Sequence, residues 1–114
     1  MIKIKHINED DYVRIFVFGD LHGSLGLFEL MIEKINLTKS DLVIILGDSC
    51  DRGEDTIGLY QRYIELIKDG YNLLHVLGNH EKMMFDGFFG CDPLEYQIWI
   101  KNGGNKTKKS ICKR

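Results

Sequence analysis

Three short phrases contain most of the side chains in this sequence that could carry out chemistry. Residues 19–23 read GDLHG, residues 47–53 read GDSCDRG and residues 78–81 read GNHE. Asp20 and His22 are two residues apart, so both side chains can reach one metal ion. Mixed oxygen and imidazole ligands suit Mn²⁺, iron or Zn²⁺ better than Ca²⁺. The phrases therefore indicate a metal-binding site with further groups available for acid–base chemistry.

Each phrase lies between an apolar run and a stretch with helical periodicity. The apolar runs, residues 13–18, 42–46 and 73–77, are typical of buried strands. The alternation of strands and helices predicts an α/β fold, with a parallel sheet in β-α-β-α-β order. Ligands in such folds collect outside the carboxyl ends of the strands. The three phrases are thus predicted to be three edges of one site.

The remaining elements are predicted from local patterns. Residues 2–7 nearly alternate between apolar and polar, and a polar turn at 8–11 predicts a hairpin with strand 12–18. Asp92 and Pro93 fit the N-cap and first position of a helix. The second helix is predicted to end at Gly70. The apolar stripes predicted for the first two helices are Leu25, Phe28, Ile32 and Ile35, and Ile57, Tyr60, Ile64 and Ile67.

Length and charge restrict the class of protein. The chain has 114 residues and a formal net charge of −2, which predict one globular domain without the basic surface that nucleic acid requires. No segment is apolar enough for a signal peptide or a membrane span, so a cytoplasmic location is predicted. The lysine-rich residues 106–114 are predicted to be a solvated, frayed end.

The cysteines and one histidine are predicted to be structural. Cys50, Cys91 and Cys112 form no Cys-x-x-Cys pair, as is typical of reduced thiols in a cytosolic protein. Cys50 lies among hard oxygen donors, which favours apolar packing over zinc ligation. His75, alone on a predicted strand, is predicted to be a hydrogen-bonded part of the scaffold.

Taken together, the three phrases resemble the signature of the calcineurin-like metallophosphoesterases. The sequence is most similar to the phosphoprotein phosphatase family, with motifs GDxHG, GDxxDRG and GNHE, and within it to the bacteriophage lambda-type and bacterial serine/threonine protein phosphatases. The Met-Met pair after the third phrase, and Trp99 before the Asn-Gly-Gly of residues 102–104, add to the resemblance. It spans about residues 12–105, followed by a divergent tail at 106–114. It implies that residues 1–114 are the N-terminal part of one catalytic domain, the β-α-β-α-β half of an α/β/β/α sandwich with an N-terminal hairpin.

The resemblance implies two divalent metal ions, with Mn²⁺ expected and iron or Zn²⁺ as alternatives. Asp20 and His22 would bind the first ion, Asp48 would bridge both, and Asn79 would bind the second. In the family, a water activated by these ions attacks the phosphate. Two further histidines of the family pattern complete the second site, and this chain has no histidine after His80. The second site is therefore predicted to be incomplete.

The resemblance also implies which residues act on the substrate. His80 would be the general acid that protonates the leaving group, and Asp51 would orient it and support its positive charge. Arg52, with Asn79 and His80, would bind the phosphate, because a guanidinium matches phosphate oxygens with two hydrogen bonds. Glu81 would orient backbone or solvent rather than react.

The implied activity is metal-dependent hydrolysis of phosphate monoesters. The expected substrates are phosphoserine and phosphothreonine in proteins, or small phosphoesters. The sequence ends part-way through the family's pattern, so a truncated or frameshifted product with reduced or lost activity is expected. Two alternatives stay open: hydrolysis of a dinucleoside polyphosphate such as diadenosine tetraphosphate, and a non-catalytic remnant that binds metal or a partner. The sequence leaves the oligomeric state open.

Overall fold

A three-stranded parallel sheet lies at the centre of the structure, a computed structural model that describes residues 4–90 and 92–112. This arrangement confirms the predicted α/β fold. The strands, in their order across the sheet, are β1 (Ile15–Phe18), β2 (Leu42–Ile45) and β3 (Asn72–His75).

Two helices, α1 (Leu25–Ile35) and α2 (Thr56–Lys68), pack against one face of this sheet. Phe28 of α1 and Leu59 of α2 share one core with Ile45 of β2, and all three side chains are fully buried. Burial of these apolar side chains is the main force that holds the helices on the sheet.

The opposite face of the sheet has little cover within the described residues. The strand register places Val17, Ile44 and Leu74 in one row, and because side chains alternate along a strand this row points away from the core that Ile45 enters. Val17 is 55% exposed, as is Leu46 just after β2. The sheet therefore buries one apolar face and leaves part of the other in water.

The predicted apolar stripe of α2 was wrong at two of its four positions, whereas Ile57 is partly buried and Tyr60 packs against the core. Ile64 and Ile67 are about half exposed, whereas Leu59, Tyr63 and Leu66 are buried. Both sets have helical spacing, so periodicity alone could not distinguish them. The buried stripe lets the Tyr63 hydroxyl reach a hydrogen-bond partner inside the protein, the Oγ of a serine in the second phrase, at 2.9 Å.

The predicted N-terminal hairpin does not form over the described residues. Residues 4–8 contain no strand, and a 3₁₀ turn follows at Glu9–Asp11. The Asn8 side chain accepts a hydrogen bond from the Asp10 N–H at 3.0 Å, a local bond that competes with strand pairing. The Val13 N–H instead donates to the Ser40 carbonyl beside β2. The start of the predicted first strand lies outside the described residues.

Three short helices complete the structure: α3 (Asn79–Met84), α4 (Pro93–Trp99) and α5 (Asn105–Cys112). A one-turn π-helical segment, Phe85–Phe89, follows α3, and a kink at Asn102 and Gly103, where the backbone is not helical, separates α4 from α5. Asp92 caps α4 by accepting from the Leu94 N–H, as the sequence predicts. No helix in the described ranges has the length and apolar character needed to cross a membrane.

Helix α5 corrects the prediction of a frayed end over residues 106–114. Thr107 and Ser110 of α5 are buried, and the Ile57 N–H at the start of α2 donates to the Ser110 Oγ at 3.0 Å. The stretch is ordered because its inward side carries hydroxyl groups that satisfy backbone donors. Residues 113 and 114 lie outside the described residues.

Candidate active site

The loops that contain the three phrases meet at the carboxyl end of the sheet. The His22 N–H donates to the Asp48 carbonyl at 2.9 Å, and the Gly23 N–H donates to the Ser49 carbonyl at 2.7 Å. The third phrase joins them, because the His80 N–H donates to the Asp48 Oδ1 at 2.9 Å. The polar side chains that the sequence singles out thus lie on three loops in contact.

Backbone strain is concentrated in the first two phrases. The described residues contain six non-glycine positions with positive φ, and one of these, Asn36, ends α1. A left-handed backbone disfavours L side chains, and such residues cluster at functional sites. The other five are Asp20, His22, Asp48, Asp51 and Arg52, with φ between 43° and 72°.

Glu81 ties the second phrase to the third. Its Oε1 accepts from the N–H groups of Asp48 at 2.6 Å and Gly78 at 2.7 Å. Its Oε2 accepts from the Ser49 N–H at 2.9 Å and, more weakly, from the Cys50 thiol at 3.4 Å. Burial raises the pKa of Glu81, but these hydrogen bonds outweigh it and the pKa is lowered. An ionised Glu81 therefore orients backbone.

Asp51 and His80 form a buried hydrogen-bonded pair. The imidazole Nδ1 lies 2.9 Å from the Asp51 Oδ2. Asp51 is fully buried and His80 is 4% exposed. A carboxylate at Nδ1 favours the tautomer with a proton on Nδ1, which leaves Nε2 as the ring nitrogen that Asp51 does not contact.

Two residues outside the phrases complete the surroundings of Asp51. The Trp99 indole Nε1–H donates to the Asp51 Oδ1 at 2.8 Å, and the Thr107 hydroxyl donates to the same oxygen at 2.7 Å. Sequence reasoning used Trp99 only as part of the resemblance, gave it no role in the site, and assigned Thr107 to a frayed end. Thr107, Ser110 and Ile111 have i, i+3, i+4 spacing, but two of them are hydroxyl residues, so an apolar stripe is not apparent.

Arg52 is exposed and held by its backbone. Its N–H donates to the Gly103 carbonyl at 3.0 Å. Gly103 has φ 103°, and a Cβ there would lie 2.5 Å from the Arg52 Cγ, so glycine permits this approach. No ion pair joins the guanidinium to a carboxylate in residues 4–90 or 92–112. The guanidinium donates a long hydrogen bond from Nε to the Asn102 carbonyl at 3.4 Å, and its other N–H groups can donate to an anion.

Behind the phrases, buried groups form a scaffold. The Ser49 Oγ lies 2.7 Å from the His75 Nε2 and 2.9 Å from the Tyr63 hydroxyl, which confirms that His75 is hydrogen-bonded scaffold. Burial lowers the pKa of His75 and raises that of Tyr63 to about 12. Cys50 is fully buried beside Met84, and burial raises the pKa of its thiol, so the predicted packing role is confirmed.

Comparison with known proteins adds the family. A family model described as calcineurin-like phosphoesterase matches residues 13–112. The chain belongs to this family. The match includes all of α5, and so reaches beyond the 12–105 span of the sequence resemblance.

The chain is also similar to named relatives, among them the following three. It is 32% identical over 105 residues to serine/threonine-protein phosphatase 2 of Salmonella typhimurium, covering 91% of this chain and 44% of the relative. The enzyme of the same name from Escherichia coli is 30% identical over 104 residues, with 90% and 44% covered. The symmetrical bis(5'-nucleosyl)-tetraphosphatase of Wigglesworthia glossinidia brevipalpis is 36% identical over 67 residues, with 58% and 24% covered. The chain thus spans less than half the length of these relatives.

The family implies divalent metal ions, and four residues offer donors of a suitable kind. His22 is oriented for this purpose: a carbonyl only accepts, so the 2.9 Å contact of its Nδ1 with the Cys50 carbonyl places a proton on Nδ1 and leaves the Nε2 lone pair free. Asp20 and Asn79 are exposed, and Asp48 is half-buried. Within the described ranges, no three His, Cys, Asp or Glu side chains stand close enough together to hold an ion. The donors therefore fit in type and in backbone position, and side-chain rotation would be needed to close them around an ion.

Proposed function

We propose that this chain carries the metal-binding and proton-donating part of a phosphomonoesterase site that acts on phosphoserine and phosphothreonine in proteins. The observation that carries the proposal is the buried pair of Asp51 and His80, with 2.9 Å between Oδ2 and Nδ1. A buried carboxylate behind an imidazole is the arrangement of a general acid, because it stabilises the imidazolium that gives up the proton.

In this proposal His80 protonates the leaving oxygen through Nε2 while Asp51 supports the positive charge. Arg52, with Asn79, binds the phosphate oxygens, and a guanidinium that forms no ion pair with a carboxylate among the described residues supports this role. Asp20, His22, Asp48 and Asn79 would hold divalent ions, proposed to be Mn²⁺. Such ions neutralise phosphate oxygens and lower the pKa of a bound water.

The substrate class rests on the relatives. Two of them are named serine/threonine-protein phosphatases, and they cover about nine-tenths of this chain. A second candidate substrate is a dinucleoside polyphosphate, which the 36% identity to a symmetrical tetraphosphatase supports over 67 residues. Parallel assays with a phosphoserine peptide and diadenosine tetraphosphate would separate the two, since each candidate predicts preference for its own substrate.

The first experiment is hydrolysis of p-nitrophenyl phosphate and of a phosphoserine peptide by the purified chain with Mn²⁺. Asp48→Asn and a chelator serve as controls for the metal. For His80→Asn we expect a loss of about 10²-fold or more with the peptide, the usual contribution of a general acid. The loss with p-nitrophenyl phosphate should be smaller, because nitrophenolate leaves without a proton.

Equal losses on both substrates would contradict the acid role of His80. No hydrolysis above the controls, in a chain that circular dichroism shows to be folded, would favour a non-catalytic metal- or partner-binding remnant. Calorimetric titration with Mn²⁺ tests the predicted incomplete second site, for which we expect one stronger and one weak site. Two tight sites would contradict that expectation.

A further inference from the structure

The hydroxyl of Thr107 makes a reciprocal contact with Asp51 from a helix 56 positions away in the sequence. The Thr107 Oγ accepts from the Asp51 N–H at 2.7 Å and donates to the Asp51 Oδ1 at 2.7 Å. Thr107 is fully buried, so water does not compete for either bond. One side chain thus fixes both the backbone and the carboxylate of the same residue.

The direction of each hydrogen bond follows from counting protons. A hydroxyl has one proton, and the Thr107 hydroxyl donates its hydrogen bond to the carboxylate, because an ionised carboxylate can only accept. The Thr56 hydroxyl, 3.3 Å away, must then donate to Thr107. The Trp99 indole donates to the same carboxylate oxygen. The Oδ1 of Asp51 therefore accepts two hydrogen bonds, and within residues 4–90 and 92–112 the Oδ2 contacts His80.

We propose that Thr107 and Trp99 are positioning residues that hold the Asp51 carboxylate, and the left-handed backbone beneath it, in the orientation that His80 needs. Its consequence for catalysis rests on the proposed function, whereas the positioning itself does not. Asp51 has φ 72°, a conformation that surrounding contacts must maintain. Without the Thr107 hydroxyl, the carboxylate would lose one of its two neutral donors and the backbone its acceptor.

Trp99 is itself held by a close glycine contact. A Cβ at Gly104 would overlap the Trp99 indole ring, so glycine lets the backbone after α4 lie against it. The indole is fully buried and cannot easily swing away from Asp51. The Asn-Gly-Gly segment thus has two functions here, since Gly103 accommodates Arg52 and Gly104 accommodates Trp99.

The test compares variants of two buried hydroxyls on α5. Thr107→Val removes the hydroxyl with little change of volume, and Thr107→Ser restores it. Ser110→Ala is the matched control, because Ser110 also docks α5, through the Ile57 N–H, but does not contact Asp51. Thr107→Ala replaces the valine variant if that variant does not fold.

The main readout is hydrogen exchange of the Trp99 indole N–H by NMR. The chain has one tryptophan, so the signal is unambiguous and independent of activity. We expect exchange to be about tenfold faster in Thr107→Val, because the Asp51 carboxylate that accepts from the indole loses the hydrogen bond from Thr107 and is held less firmly. Exchange in Thr107→Ser and Ser110→Ala should stay close to that of the unchanged chain.

The second readout is turnover of the phosphoserine peptide. We expect kcat to fall at least about tenfold in Thr107→Val, as for other residues that orient an active-site group. KM should stay nearly constant, with rescue by serine. If the unchanged chain shows no turnover, the proposed function fails and the exchange data still decide on positioning.

Three results would overturn the positioning role. One is unchanged indole exchange in Thr107→Val, and another is equal acceleration by Ser110→Ala. The third is that the Thr107 hydroxyl is needed only for folding, which would be shown if the valine and alanine variants both unfold while Thr107→Ser is folded.

Discussion

The two ends of the sheet each bury an aspartate, Asp41 at the start of β2 and Asp51 beyond its end, and the partners differ. Asp41 is 1% exposed and faces Arg14, whose Nε and Nη2 donate to its two oxygens at 3.0 and 2.7 Å. Asp51 is fully buried and faces His80, with neutral donors on its other oxygen. One carboxylate has a permanently charged partner, and the other has a partner that can gain and lose a proton.

The difference in partners indicates that the two buried aspartates have different roles. The Arg14 guanidinium, together with hydrogen bonds from Thr38, lowers the pKa of Asp41 to about 2. Arg14 also donates to the Ile35 and Asn36 carbonyls and so ties the end of α1 to β1. At the other end, Asp51 has a strained backbone, and its partner is an imidazole, a side chain of the kind that serves in acid–base chemistry. We infer that the first aspartate fixes the fold and that the second prepares a proton donor.

The largest expected effect is the contrast between Asp51→Asn and Asp41→Asn. In Asp51→Asn, turnover of a phosphoserine peptide should fall by about 10²-fold or more, because the imidazolium loses its counter-charge. In Asp41→Asn, the chief loss should be stability, because Arg14 is left without its anion. Peptide turnover and urea unfolding of both variants measure the two quantities.

The contrast would fail if both variants lost activity in proportion to their stability. Assays well below each unfolding midpoint are therefore needed, with circular dichroism to confirm that the variants are folded.

The next effect concerns Glu81, which both stabilises the loops and orients the backbone of the candidate site. Glu81→Ala removes the acceptor of the Asp48, Ser49 and Gly78 N–H groups, and each buried donor left unpaired costs about 1–3 kcal/mol. We expect a lower free energy of unfolding together with lower activity. Glu81→Gln keeps one acceptor oxygen and should have an intermediate loss of stability. A glutamine variant as unstable as the alanine variant would show that the charge, rather than acceptor geometry, joins the phrases.

Features that follow local sequence rules could be predicted from the sequence, whereas features that depend on tertiary contacts could not. The strands, the N-cap at Asp92 and the meeting of three phrases follow from apolar runs, capping and the geometry of parallel sheets. The buried side of α2 did not follow, because two stripes have equal spacing and the Tyr63 hydroxyl, which finds a partner on only one side, distinguishes them. Thr107 was missed because a buried hydroxyl resembles an exposed one until its partner 56 residues away is known.

The smallest expected effect is on the free energy of unfolding at acidic pH, and it tests how much the charge of Asp41 stabilises the fold. Its folded-state pKa of about 2 lies below the ordinary 3.8, so its stabilising contribution is complete above about pH 4 and is lost as the pH falls through 2. In Arg14→Met, this pH-dependent loss should shrink, because the folded and unfolded pKa values of Asp41 then approach each other. Urea midpoints at pH 7, 4, 3 and 2 measure this loss, and the contributions of the other carboxylates cancel because both proteins contain them.

The matched control is Arg62→Met, which removes a guanidinium from the more exposed Glu29 and should keep the full loss of stability at acidic pH. Parallel curves for Arg14→Met and the unchanged chain would show that Arg14 ties α1 to β1 through carbonyls alone and that the charge of Asp41 contributes little.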